Sequence, residues 1–174
     1  MTALPPLRYE FLERYRPWSW KEILWGYERQ LIGWPPVVEL AVSKVVEGAS
    51  SEAEIELAGL DKNDVFRVGE LLRHLASGDS EPENARDKWL CASLSWAFSH
   101  RSQLPDPLGT VESIFADFDY PEQIRPFVRY LPAQDGYDPT KHSTSENEKR
   151  LIAHWQAFVE GCGRKFEIGG AHQP

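Results

Sequence analysis

The sequence predicts an all-α protein: a single-domain bundle of about seven or eight helices with two central apolar helices, 36–47 and 84–100. Three observations predict it. Apolar residues recur at helical spacing along most of the chain. Helix start and stop residues bracket those stretches. Outside the short stretch 164–170, no alternating run of useful length suggests a strand, and no fixed repeat suggests a solenoid.

The elements follow in order. Ser19 suits an N-cap with Glu22 at N3, a capping box, and Trp18 and Ile23 stand at the positions of a hydrophobic staple. Trp20, Ile23, Leu24, Tyr27 and Leu31 share one face, and Gly33 supplies a stop. Pro36 opens the next helix, where a missing N–H costs nothing. Its Val37, Val38, Leu40, Ala41, Val42, Val45 and Val46 wrap most of the circumference before Gly48. The β-branched content would also suit a strand, but length, proline start and glycine stop favour a helix. Ser51 and Glu54 repeat the capping box ahead of a short helix ending at Gly59. Asp61 caps a helix to Ser77, with Val65, Val68, Leu72 and Leu75 on one stripe and Gly78 at its end. Ser80-Glu81-Pro82-Glu83 starts a helix to His100 whose second half is apolar nearly all round, the pattern of a buried central helix.

Residues 104–109 read as a loop, followed by an amphipathic helix carrying Val111, Ile114, Phe115 and Phe118. Asp119 caps the next helix, with Ile124, Phe127, Val128 and Leu131 inward, and Pro126 either kinks it or marks its first turn. The longest polar loop is 132–145. The last helix runs from Ser145 to Glu160, with Leu151, Ile152, Trp155, Phe158 and Val159 on its core face. The tail, 167–174, is expected to fray.

At 174 residues the chain suits one domain over 1–174, long enough for a proper core. Its longest apolar runs are only a few residues, which excludes a membrane span. Its start lacks a basic segment followed by an apolar stretch, so no signal peptide is read and a cytoplasmic location is expected. Cys91 sits in an apolar run and reads as a buried thiol rather than half of a disulfide. The net charge of −8, with no cluster of Lys and Arg, disfavours direct nucleic-acid binding. The acidity serves solubility, or attracts a basic protein partner.

No familiar catalytic, nucleotide or metal motif is present. Cys162, between Gly161 and Gly163 and followed by Arg164 and Lys165, reads as an ordinary cysteine beside a helix-ending glycine rather than a reactive thiol. Asp117-Phe118-Asp119 lacks the register of a calcium loop, and the five histidines lack ligand spacing, so neither metal nor cofactor is expected. The stretch 135–143 gathers Asp135, Tyr137, Asp138, Lys141, His142 and hydroxyls. It reads as a catalytic loop, a binding surface or a set of turns built on Asp-Gly and Asp-Pro. Of seven tryptophans, Trp25 lies off the apolar stripe of its helix, so it is either an exposed hot spot or is covered by the segment 7–15. Trp25, Asp135, Tyr137, Asp138 and His142 are the candidate partner-binding residues, and no residue is assigned a catalytic role.

The segments WSWKEILWGYERQLIGW (18–34) and LPAQDGYDPTKHSTSENEKRLIAHW (131–155) resemble an uncharacterised family of small bacterial all-helical proteins associated with immunity to polymorphic toxins. The resemblance implies a cytoplasmic, non-catalytic protein that binds a toxin, with a basic nuclease domain the kind of target that acidity would suit. A helical adaptor with another partner, and an enzyme using 135–143, are the alternatives. Oligomeric state is not read from the sequence.

Overall fold

A computed structural model describes residues 4–48 and 50–166; the expectation for the tail, with His172, lies outside them. Among the described residues the structure is helical and no strand occurs, which bears out the all-α expectation. Among the described residues the contacts fall into two compact units, one over 5–89 and the other over 90–166 with Leu4. No helix among the described residues is long and apolar enough to cross a membrane.

The first unit contains α1 (Tyr9–Leu12), α2 (Trp20–Glu28), α3 (Trp34–Val46), α4 (Glu52–Ala58), α5 (Val65–Ser77) and the first turn of α6 (Ala85–Ser99). Both capping boxes form as read: Ser19 with Glu22, and Ser51 with Glu54. Each satisfies two backbone donors that a helix start leaves bare. Helix α2 ends earlier than the Gly33 stop implied. Gln30 takes the left-handed turn at φ 61°, and Gly33 instead stands at the N-cap of α3. At the start of α5, Asp64 holds the N-cap position, while the Asp61 carboxylate accepts the Asn63 N–H in the preceding turn.

Helix α2 packs on α5, and α3 mainly on α4. The apolar residues that wrap most of helix 36–47 are not all covered. Val37, Leu40 and Ala41 are buried, but Val42 is 43% and Val46 80% exposed. Helix α4, with smaller contributions from α1 and α5, covers one side, Val38 and Val45 are half-buried at its margin, and Val42 and Val46 face solvent. The other central helix is as read, since α6 is buried without a break from Lys88 to Ser95.

Its first turn builds the densest part of this unit. The Trp89 indole is fully buried, donates to the Glu22 carbonyl at 2.7 Å and lies 4.7 Å from the Trp18 ring. Gly26 in α2 leaves the space that this indole fills. Lys88 donates to the Pro17 carbonyl at 2.6 Å, meets the Glu22 carboxylate at 3.2 Å and sits 4.0 Å from the Trp18 ring centre. Burial lowers the Lys88 pKa, and Glu22 partly offsets that.

The second unit holds the rest of α6, then α7 (Pro107–Asp117), a 3-10 turn at Glu122–Phe127, a shorter one at Pro139–Lys141 and α8 (Thr144–Phe166). Pro107 opens α7 inside the stretch read as a loop, because proline suits a first helical turn. Asp119 does not cap a helix. Asp119 and Tyr120 both take positive φ, 59° and 56°, and turn the chain out of α7. The helix expected beyond is only the 3-10 turn, ended at Pro126-Phe127, where proline removes a donor and restricts the residue before it.

Helix α8 is longer than read: it begins after Ser143, runs through Gly161 and Gly163, and reaches Phe166. The glycines do not stop it, since glycine weakens a helix by only about 1 kcal/mol. Cys162 is therefore inside the helix, buried, and bonded to Cys91 of α6, with Cα atoms 5.6 Å apart. This overturns the reading of two unrelated thiols. Trp155 is fully buried, donates to the Leu94 carbonyl at 3.2 Å and stands edge-on to Phe98.

Candidate functional site

The polar loop ahead of α8 is folded tightly onto that helix. Ser143 accepts the Glu146 N–H, and the Glu146 carboxylate accepts the Ser143 N–H at 2.8 Å, a third capping box. Asp138 accepts the Thr140 N–H and hydroxyl, at 3.0 and 2.6 Å, and so starts the turn Pro139–Lys141. Gly136 takes φ 80°, a conformation that suits glycine. Asp135 accepts the Tyr137 N–H and an Arg150 N–H, the latter at 2.7 Å. The Tyr137 hydroxyl donates to Asn147 at 2.6 Å, and the Asn147 amide donates to the Pro139 carbonyl.

The Tyr137 ring is the centre of this arrangement. His142 stacks on it at 4.6 Å and 12° between planes, and the Arg150 guanidinium carbon lies 4.1 Å from its centre. His142 Nδ1 stands 3.6 Å from Glu146. The loop carboxylates all titrate below their ordinary range. Arg150 lowers Asp135, Thr140 lowers Asp138, and the Ser143 N–H lowers Glu146 with His142 assisting.

Beside the loop lies a cleft of about 530 Å³, bounded by the 3-10 turn 122–127, the loop and the first half of α8. Pro126, Leu131, Pro132 and Leu151 give it apolar walls, and Arg125, Arg129, Arg150 and His154 give it cations. The arginines differ in what they have left to donate. Arg129 makes four hydrogen bonds to Asp106 and Glu112, which raise its pKa further and lower that of Asp106. Gly109 leaves the room in α7 that the Asp106 carboxylate occupies. Arg150 is fixed by Asp135 and Tyr137. Arg125 Nε stands 3.6 Å from Glu122, and that buried Nε makes no hydrogen bond to the described residues.

The residues singled out in the sequence are thus distributed. Asp135 and Tyr137 line the cleft, while Asp138 holds the Thr140 turn and His142 stacks on Tyr137 without lining the cleft. Trp25 belongs to the first unit, where it is half-buried and carries the Arg29 guanidinium 3.8 Å over its ring. Sequence reasoning missed Arg125, Arg150 and His154, and it assigned Leu151 to the core. The stripe Asn147, Arg150, Leu151, His154 repeats at helical spacing, and a mixed polar and apolar stripe of that kind was the available signal.

A family model for uncharacterised proteins conserved in bacteria, DUF2247, matches residues 9–161. No curated protein and no solved structure matches the chain. The match spans most of both units and both segments that carried the sequence resemblance, so the chain belongs to the DUF2247 family of bacterial proteins.

Proposed function

We propose that the protein is a non-catalytic binding protein that neutralises a bacterial toxin by forming a stoichiometric complex with it. The observation that carries this reading is the state of the loop 135–143. Asp135, Tyr137, Asp138 and His142 are each held by a neighbour within the loop or on α8, so the groups that would serve an enzyme are committed to fixing a surface. A surface ordered in advance loses little entropy on binding. The net charge of −8 favours a basic toxin domain, for which charge would raise the association rate and reject wrong partners. In this reading the protein acts in the cytoplasm, where the Cys91–Cys162 pair would be held as thiols, and needs no cofactor.

The test is a titration of toxin activity, using the toxin encoded beside this gene. Inhibition should saturate at one molecule of protein per toxin, and the association rate should fall as ionic strength rises. Protection at far lower ratios would mean turnover and refute the non-catalytic reading. A rate indifferent to salt would remove the electrostatic component.

A further inference from the structure

We infer that the cleft of the second unit is a binding site for a small carboxylic acid with an apolar body, its carboxylate paired with Arg125. The size suits such a ligand, since small-molecule sites fall in the range of about 300–1,000 Å³. The chemistry follows from which groups are already spent. Arg129 already makes four hydrogen bonds to Asp106 and Glu112, and Arg150 is tied to Asp135 and stacked on Tyr137. Both acids of the lining, Asp135 and Glu148, belong to α8 or the loop, and Asp135 is neutralised by Arg150. Arg125 is the lining arginine whose acidic neighbour stays beyond hydrogen-bond reach: Glu122 is 3.6 Å away, with its side chain 84% exposed. Its guanidinium is half-buried and fork-shaped, a geometry that accepts a carboxylate through two parallel hydrogen bonds. The walls contributed by Pro126, Leu131, Pro132 and Leu151 favour an alkyl or aromatic body over a bare anion. The toxin-binding reading neither supports this inference nor depends on it.

The probes are 4-phenylbutyrate, its uncharged amide and inorganic phosphate. They are titrated into the full chain carrying ¹³C-labelled leucine methyls. The acid should shift the methyl signals of Leu131 and Leu151, and the amide should bind at least about tenfold more weakly, as expected for loss of a charge-assisted hydrogen bond. Phosphate should bind more weakly than the acid. Arg125→Gln should bring acid and amide to equal affinity. Equal binding of acid and amide to the unsubstituted protein, shifts confined to other leucines, or no shift at millimolar acid would each overturn the inference. Phosphate binding as tightly as the acid would overturn the apolar part. If Arg125→Gln fails to fold, the comparison of the three probes on the unsubstituted protein decides by itself.

Discussion

Gly26→Ala should destabilise this protein, although the same change in the middle of a helix ordinarily stabilises. Gly26 lies within α2 and is buried. By helix propensity alone, alanine would contribute about 0.5–1 kcal/mol. A Cβ placed there would meet the Trp89 indole, with Cη2 2.8 Å away and Cζ2 and Cε2 closer still. That ring cannot swing aside freely. It is fully buried, packed against Trp18 at 36° between planes, and anchored through Nε1 to the Glu22 carbonyl at 2.7 Å. Overpacking of this kind costs about 1–3 kcal/mol. If the ring retreats, the buried indole N–H loses its acceptor, at a further cost of about 1–3 kcal/mol. After the propensity gain is subtracted, a net loss of about 1–5 kcal/mol remains when the indole bond is lost, or a fall in Tm of roughly 2–20 °C for a chain of this size. The assay is urea unfolding followed by tryptophan fluorescence, with thermal melts by circular dichroism. Gly69→Ala is the control. It lies in α5 with nothing closer than the Arg73 guanidinium at 3.5 Å, so there the propensity gain should appear as a small stabilisation. In a Trp89→Leu background, Gly26→Ala should lose most of its cost. Stability at or above the unsubstituted level for Gly26→Ala, with Gly69→Ala behaving the same, would refute the packing argument.

Two further outcomes follow from the second unit. The Cys91–Cys162 bond spans 71 residues, and loop-closure entropy for that length gives about 4 kcal/mol. Unfolding in urea with and without reductant should show a midpoint lowered by reduction, and identical midpoints would contradict it. The second outcome concerns acid. Asp135, Asp138 and Glu146 have lowered pKa values, so between the folded and unfolded values the unfolded chain binds more protons. Their contribution to stability is complete above the ordinary carboxylate range of about 4 and fades as pH falls through the lowered folded values. Carboxyl signals followed by NMR should titrate below that range, and Arg150→Met should return Asp135 toward it. A midpoint for Asp135 that Arg150→Met leaves unmoved would show that the pair does not set it.

Local signals in the sequence translated well where a side chain acts on its own backbone. The Ser19 and Ser51 capping boxes are visible because donor and acceptor lie three residues apart, and both form. The burial of α6 was visible because its apolar residues leave no polar face. Signals that depend on a neighbour were harder to read. Whether Val46 is core or surface depends on what lies beside α3, and periodicity does not carry that information. Gly161 and Gly163 look like a stop, yet tertiary packing around Cys162 continues the helix through them. No linker composition marks the division of contacts at Trp89 and Leu90, because it falls inside a helix. At the cleft, the loop was legible as unusually polar. The arginines that give it chemical character were not, since they stand in separate elements and differ only in which carboxylates each has met.

The Cys91–Cys162 pair also records where a molecule has been. Reducing cytosol keeps such pairs as thiols, whereas the periplasm or the exterior keeps them bonded. Both sulfur-bearing residues are buried, so the folded protein shields them from stray chemistry after the cell is opened. Protein taken from its native cell, trapped with an alkylating agent as it is denatured, would weigh two adducts heavier if it had lived reduced and would be unaltered if it had lived oxidised. A single mass spectrum would therefore report the compartment in which this family member works, before any partner has been identified.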